Sequence, residues 1–355
     1  MKKGKERQAW LDYVRFFSIL LVIVFHTPPR MALFDDAVIL NLRVPVFFCI
    51  SGFLYSFDKW PDFWTYVRHR AQQILVPYTT FFVIFYALWL VVGRRMVGAE
   101  EEAISVWQPL KEFVLGQPAT VVAPFWYIAC LFTMQLLYYG IEKLVPRRWV
   151  FATCLALGVG TYLIPYENTA VAAIGLFWHL GDALLFLPFY ALGNSFKQPL
   201  QQMHFGRDRK GFTAALVVLG IASMVGMALI QPVKDVDPGL YKVLRIFAGL
   251  MVIPAYMCVA KWIAGKFGHI SVVEFVVVSG TVYLGLQNYF IGIAKMLLNK
   301  LCYAGVMDDQ WWLKFVVAIL VMAAIYPFAW LIDRYAPWLL GKSTSHHQKT
   351  KPTTS

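Results

Sequence analysis

Ten long apolar runs, separated by polar connections, constrain the fold of this chain more than any other feature. A helix needs about 20 apolar residues to cross a hydrocarbon core of about 30 Å, because each residue advances it by about 1.5 Å. In lipid the backbone must satisfy its own hydrogen bonds, and a helix does so within one segment. The runs cover residues 10–27, 38–57, 71–92, 122–140, 149–165, 174–194, 212–230, 241–263, 271–298 and 312–335. The sequence therefore predicts an all-α integral membrane protein with about ten transmembrane helices, the ninth tilted or broken at Gly280 or Gly285.

Composition and charge placement agree with this prediction. Hydrophobic residues make up 59% of the 355 residues and charged residues 15%, against about 25% charged in soluble domains. The net charge is +12, but 19 of the 32 Lys and Arg residues fall in every second connection and in the two ends of the chain. Lys and Arg near span ends favour the cytoplasm. We therefore expect both termini to be cytoplasmic, and the basic excess to set orientation rather than to bind nucleic acid.

One domain accounts for nearly the whole chain. The sequence has no evident internal repeat or second domain, so residues 1–340 are predicted to form a single transmembrane domain and residues 341–355 a disordered cytoplasmic tail. The five cysteines lack metal-ligand spacing, and those in apolar runs are expected to be buried thiols. We predict no metal site and no permanently bound cofactor.

Polar residues inside the first run are the clearest candidates for function. An ionisable group in a span is costly and is therefore a functional hypothesis by default. Asp12, Arg15 and His26 share one helical face, because the eleven residues from Arg15 to His26 make about three turns and about 16 Å. This face places a cation near the cytoplasm and an imidazole near the outside. The alternative is structural: Asp12 and Arg15 anchor the helix at the membrane interface, and His26 caps the span near its exit.

The second run adds further polar positions. Asn41 and Arg43 enter it from the outer side, near the level expected for the imidazole. Ser51 and Gly52 form a small-residue spot, where helices approach closely or a ligand contacts the backbone. Packing is the commoner reason for such a pair.

A basic stretch precedes the third run. Arg68 and Arg70 lie at its cytoplasmic edge, followed by Gln73 and, after an early proline, Tyr78. One interpretation is anchoring by positive charge. The other is a cytoplasmic site for a phosphate-bearing ligand, because the planar fork of arginine suits phosphate.

Ionisable residues of the later runs carry less information. His179 and Asp182 lie one turn apart in the sixth run and form either a structural or a functional pair. The others lie near run ends, where long side chains extend toward water along their apolar stems. These are Arg245, Glu274, Lys295 and Lys314.

Five motifs occur in an order and spacing that is more specific than any one of them. They are Arg15-x10-His26, Val44-Pro-Val-Phe-Phe-Cys-Ile-Ser-Gly-Phe53, the basic stretch followed by Ile74-Leu-Val-Pro-Tyr78, Pro124-Phe-Trp-Tyr-Ile128, and Leu187-Pro-Phe-Tyr-Ala-Leu-Gly193. Together they resemble the acyltransferase 3 family of integral-membrane O-acyltransferases, many of which acetylate bacterial surface glycans. The resemblance covers about residues 8 to 335.

The resemblance implies a division of labour across the membrane. It assigns His26 as the general base that takes the proton of an acceptor hydroxyl, a task suited to an imidazole at neutral pH. Asp12 would hold Arg15 in place, and Arg43 would stabilise oxyanion charge. The residues expected to bind the donor, acyl-CoA and usually acetyl-CoA, are Arg68, Arg70, Gln73 and Tyr78. The residues expected to bind substrate are Asn41, Ser51, Trp126 and Tyr283. The implied partners are membrane lipid, acyl-CoA and a glycan acceptor, in a bacterial inner membrane.

Two positions depart from the family pattern. Many members carry Arg-x-x-Arg before the third span, whereas here Gln73 follows Arg70. Many also carry Ser-x-x-x-Tyr-x-x-His near the ninth span, whereas this chain keeps Ser279 and Tyr283 without the histidine. The departures bear on the donor-phosphate contacts and on the class of acceptor.

Two other classes of function compete with acyl transfer. A transporter or exporter of a sugar or small anion would also place charge inside its spans, although the chain shows no inverted repeat or matched pair of broken helices. A non-catalytic membrane scaffold would leave the polar face of the first run unexplained. The acceptor, the acyl group and the oligomeric state are left open by the sequence.

Overall fold

The computed structural model describes residues 8–60, 62–94, 104–163, 169–202 and 210–337, and within these ranges it is helical with no β-strand. The helices are α1 Ala9–His26, α2 Ala32–Leu54, α3 Phe63–Val91, α4 Gln108–Val114, α5 Ala119–Leu144, α6 Val150–Gly160, α7 Thr169–Leu176, α8 Leu180–Ser195, α9 Lys197–Gln202, α10 Lys210–Leu229, α11 Pro238–Phe267, α12 Ser271–Val278, α13 Gly280–Leu301 and α14 Leu313–Tyr335. Single turns of helix, Val233–Val236 and Val306–Asp309, lie in two connections. The all-α prediction is confirmed for the described residues. The predicted tail, 341–355, lies outside them.

Within the described part of the chain, six helices are long and apolar enough to cross a membrane, namely α1, α2, α3, α5, α11 and α14. Helices α12 and α13 meet at 81° and make a seventh span if they are taken as one. The break that the sequence predicts in the ninth run lies at Ser279, directly before Gly280. These helices support an integral membrane protein with several spans.

The predicted count of ten spans is not confirmed. Runs 149–165 and 174–194 fall on α6 and α8, which have 11 and 16 residues. Run 212–230 falls on α10, where the apolar helix is Thr213–Leu229. Helices α6 and α8, and the apolar part of α10, are shorter than the about 20 residues that a hydrocarbon core requires. The cytoplasmic location of both termini stays a prediction.

Helix α1 lies at the centre of the bundle, where it packs against α2, α11, α12, α13 and α14. Its side chains belong to two cores: Tyr13 and Val14 pack with α2, α5, α8 and α11, whereas Ile19 and Ile23 pack with α3, α13 and α14. Lipid tails are as apolar as these side chains, so close packing holds such helices together. We call the two ends of the bundle the Asp12 end and the His26 end, after the polar residues near the two ends of α1.

The closest approach between two helices joins α2 and α8. A Cβ atom added to Gly52 would overlap the backbone carbonyl of Tyr190, and one added to Gly193 would overlap the carbonyl of Cys49. Both glycines belong to motifs singled out in the sequence. The expected small-residue spot is therefore a contact between two backbones, which only glycine permits here.

We predict that Gly193→Ala lowers the free energy of unfolding by about 1–3 kcal/mol, because the added methyl group must displace backbone rather than a flexible side chain. Denaturant unfolding of the detergent-solubilised protein measures the change. Gly140→Ala in α5 is the matched control, since nothing lies within 4 Å of its added Cβ, and its effect should stay within about 0.5 kcal/mol. Equal stability of the two variants would contradict the proposed backbone contact.

Candidate active site

His26 is the last residue of α1, and the end of the helix is well fixed. The backbone N–H of Thr27 donates to the carbonyls of Ile23 and Val24, and the Thr27 hydroxyl donates to Ile23 at 2.8 Å. The imidazole ring stands edge-on to the ring of Phe25, with 5.3 Å between their centroids. The candidate base therefore sits on a defined helix terminus, next to carbonyls that α1 itself leaves unpaired.

Lys314 of α14 binds two carbonyls of the segment that directly follows α1. Its Nζ donates to the carbonyl oxygens of Thr27 at 2.9 Å and Pro29 at 3.0 Å, and it forms a salt bridge of 3.3 Å with Asp35. Both side chains of the pair are 0% exposed. The expectation that Lys314 extends toward water was wrong, because a helix C-terminus and a carboxylate offer it partners inside the protein.

More cations surround the imidazole. The Arg43 guanidinium lies over the Phe25 ring at 3.6 Å, and that of Arg30 lies over the same ring at 4.6 Å. The charges of Arg43, Arg30 and Lys314 all act on His26. The structure thus brings Arg43 to the candidate base, as the sequence predicts.

A second ion pair and a third arginine extend this region. Asp36 is 2% exposed and forms a salt bridge of 2.7 Å with Lys234. Arg245 of α11 lies over the ring of Phe186 at 5.7 Å. Asn41 is fully buried, and neither polar atom of its side chain has a hydrogen-bond partner.

His179 and Asp182 do form a pair, as one of the sequence interpretations suggests. The distance between Nδ1 and the carboxylate is 2.9 Å, and the ring of Trp126 lies 5.5 Å from the His179 ring. Trp178 and His179 have φ angles of 48° and 52°. A left-handed backbone is strained for such residues and often marks a functional site, so Trp126 faces a structurally constrained imidazole.

At the other end of α1, a cavity of about 460 Å³ contains the first two candidates of the sequence analysis. Asp12, which is 4% exposed, and Arg15 line it together with Lys197 and Gln201 of α9. Ser51 and Arg15 both interact with the hydroxyl of Tyr127. Two cations from different helices, Arg15 of α1 and Lys197 of α9, therefore line one cavity at the Asp12 end.

The four residues expected to bind the donor fall into separate environments. Arg70 donates to the Gln73 amide oxygen at 2.9 Å. The glutamine that stands in place of the second arginine of the family motif therefore accepts a hydrogen bond from the first arginine. Arg68 is exposed. Tyr78 is buried and stacks on Phe113 at 5.0 Å, where its hydroxyl donates to the Phe113 carbonyl. The structure joins Arg70 to Gln73 but gives Tyr78 a packing role.

Tyr283 belongs to a row of buried polar groups on α13. Ser279, Tyr283 and Gln287 are each 0% exposed, and none of their side-chain polar atoms has a hydrogen-bond partner among the described residues. Spacings of four residues place all three on one helical face. The face begins beside α1, since a Cβ on Gly280 would lie 3.4 Å from Cδ1 of Ile19. Buried polar groups are normally paired, so this row points to a route or site that accepts polar atoms.

Residues 8–334 match the model of a protein family described as an acyltransferase domain, acyltransferase 3. The chain belongs to this family. The match includes every candidate site residue and confirms the resemblance seen in the motifs. No curated protein and no solved structure matches the chain. Family membership supports a membrane acyltransferase in general.

Sequence reasoning missed the buried residues that fix the surroundings of His26. Lys314 and Asp35 are 279 positions apart, and neither lies in a motif. The available signal was the pair of adjacent acids, Asp35 and Asp36, at the start of the second run. Adjacent acids at the head of an apolar run need cations from elsewhere in the chain, and the structure supplies Lys314 and Lys234.

We predict that Lys314→Met lowers the free energy of unfolding by about 3–5 kcal/mol, because it leaves the Asp35 carboxylate buried without a partner. Lys314→Met combined with Asp35→Leu should recover part of this loss, since both charges are then removed. Thermal unfolding of the purified protein in detergent compares the variants.

Lys295→Met is the control for this series. Lys295 and Asp308 form a salt bridge of 3.0 Å with side chains 43% and 51% exposed, so its loss should cost at most about 1 kcal/mol. A Lys314→Met variant no less stable than the control would show that the buried pair does not hold the end of α1.

Proposed function

We propose that the protein is a membrane O-acyltransferase that moves an acyl group, acetyl in the simplest case, from cytoplasmic acyl-CoA to a hydroxyl of a cell-envelope or exported glycan. The observation that carries the proposal is α1, which puts Arg15 in a cavity at one end of the bundle and His26 among cations at the other. Acyl transfer across a membrane needs an anion-binding donor site and a base for the acceptor on opposite sides.

The proposed orientation places the Asp12 end in the cytoplasm and the His26 end outside a bacterial inner membrane. It rests on the 19 basic residues of the connections at the Asp12 end and in the chain termini. With both termini cytoplasmic, the helices α6, α8 and α10 complete ten crossings.

In the proposed mechanism, His26 accepts the proton of the acceptor hydroxyl while the oxygen of that hydroxyl attacks the thioester carbonyl carbon. A C–O bond forms, the tetrahedral oxyanion collapses, the C–S bond breaks, and the thiolate of CoA takes up the proton. Arg43 is placed to stabilise the oxyanion electrostatically. Arg15, positioned by Asp12, binds the donor, with Arg70 and Gln73 at the same end of the bundle.

The arm of CoA that bears the thioester must extend from the Asp12 end to His26, which is about 16 Å beyond Arg15 along α1. The row of Ser279, Tyr283 and Gln287 supports a path for this arm, because its unpaired polar groups run along α13 beside α1. Tyr283 is thereby proposed to contact the acyl chain of the donor. Asn41, Ser51 and Trp126 remain proposed substrate contacts.

We predict that His26→Ala lowers transfer of labelled acetyl from acetyl-CoA to envelope glycan by about 100-fold or more, the contribution expected of a general base. Membranes with wild type or variant at equal expression are supplied with radiolabelled acetyl-CoA, and label on glycan is measured. His269→Ala is the matched control, because His269 is 48% exposed and pairs with Glu274. Undiminished transfer by His26→Ala would refute the base assignment, and glycan export without acyl-CoA consumption would favour a transporter.

We predict that Arg15→Lys raises KM for acetyl-CoA about tenfold with a smaller effect on kcat. Lysine keeps the charge but loses the planar fork, and one charge-assisted hydrogen bond of about 1.5 kcal/mol corresponds to that factor. Steady-state kinetics of protein in nanodiscs measures both constants. An unchanged KM would mean that Arg15 supplies only charge.

A further inference from the structure

The charges around His26 do not balance. Three carboxylates lie in this region, and each is bound by a different partner. Asp35 pairs with Lys314 at 3.3 Å, and Asp36 pairs with Lys234 at 2.7 Å. Asp182 contacts His179 at 2.9 Å. Among the described residues of this region, no carboxylate forms a hydrogen bond with an arginine.

Arg43 and Arg245 are the unmatched cations. Among the residues that the structure describes, neither forms a salt bridge, and both lie over aromatic rings instead. The Nε atom of Arg43 is buried without an acceptor. Asp35 and Asp36 act on Arg43, and Asp36 and Asp182 act on Arg245. These three carboxylates still carry one charge fewer than the two arginines together with Lys314 and Lys234, and the exposed Arg30 adds a further cation.

The two arginines also act on each other. Residues 40–42 of α2 pack against α11, which brings the following residue, Arg43, toward Arg245, and the positive charge of Arg245 opposes that of Arg43. Asn41 adds an unsatisfied group between their helices, since its Oδ1 would lie 3.4 Å from a Cβ on Gly249, one turn along α11 from Arg245. Buried charges that lack a partner are costly, which indicates that a ligand completes the site.

An anion is the ligand that this arrangement fits. Guanidinium groups bind carboxylates and phosphates through paired, charge-assisted hydrogen bonds, and an amide supplies one further donor. The oxyanion of the reaction does not remove the imbalance, because it exists only during the transfer step. An anionic group of the bound ligand that is charged before and after transfer removes the imbalance throughout.

We propose that a carboxylate or phosphate group of the acceptor binds between Arg43 and Arg245, with the Asn41 amide beside them. This rests on the proposed function, because it names the chemical class of the acceptor at the same site. The acceptor is thus an anionic glycan rather than a neutral one, and Arg245 is a specificity-determining residue. Its guanidinium holds the anionic group while His26 acts on a neighbouring hydroxyl.

The test compares two sugars that differ in one carboxylate. Thermal unfolding of the full chain in detergent is measured with sodium glucuronate and with glucose, at ionic strength matched by NaCl and without acyl-CoA. Saturating glucuronate should raise Tm by about 2–4 °C, and glucose should not. The shift should disappear in Arg245→Gln and shrink in Arg245→Lys. It should be retained in Lys295→Gln, which removes a cation in a separate exposed pair.

Without any added anion, Arg245→Gln should unfold at a higher Tm than wild type, because the variant relieves the repulsion with Arg43. A merely structural arginine would show the opposite sign, so this measurement separates the two roles. A lower Tm for Arg245→Gln together with no glucuronate shift in wild type would overturn the proposal.

Two further arms identify the source of the anion. Inorganic phosphate should compete with glucuronate if the site accepts either group. Nanodiscs of phosphatidylglycerol and of phosphatidylcholine test a lipid headgroup, and an Arg245-dependent shift from phosphatidylglycerol alone would assign the site to lipid and overturn the acceptor proposal. Anion binding without acetyl transfer would refute only the acyltransferase reaction. Acetyl transfer without Arg245-dependent anion binding would refute only the anionic acceptor.

Discussion

Burial of α1 is the constraint on which the rest of the structure depends. The helix is apolar along its middle and polar near both ends, and five other helices enclose it. In a membrane each of its polar groups must find a partner in the protein. At one end a cavity and the side chains of α9 meet Asp12 and Arg15. At the other end a lysine from the last helix binds the terminal carbonyls.

The Lys314 contacts link stability to chemistry. The same ammonium group binds the carbonyls of Thr27 and Pro29 just beyond α1, neutralises Asp35 and contributes charge to the surroundings of His26. A group with three such partners cannot move without releasing all of them. The segment that directly follows the imidazole is therefore held by the last long helix, so packing of α14 contributes to formation of the site.

Sequence reasoning reached the features that depend on local pattern. The helix break beside Gly280 follows from short-range spacing, and so does the presence of Asp12 and Arg15 in one cavity. The buried pair of Lys314 and Asp35 does not, because its members are far apart in the chain and only the fold brings them together. The predicted number of spans is not confirmed for a related reason. An apolar run of suitable composition does not reveal where its helix ends, as α6 and α8 show.

The glycine contact between α2 and α8 has a mechanical consequence. Where two backbones touch, no side chain can rotate to absorb sliding, so these helices form one rigid body. Phe53 and Leu54 of α2 form one wall of the cavity at the Asp12 end, and Val277 and Val278 of α12 form another. Widening that admits a large donor therefore does not come from the α2 wall, and the α12 wall can move separately from it. The sharp bend at Ser279 gives that wall a hinge of its own.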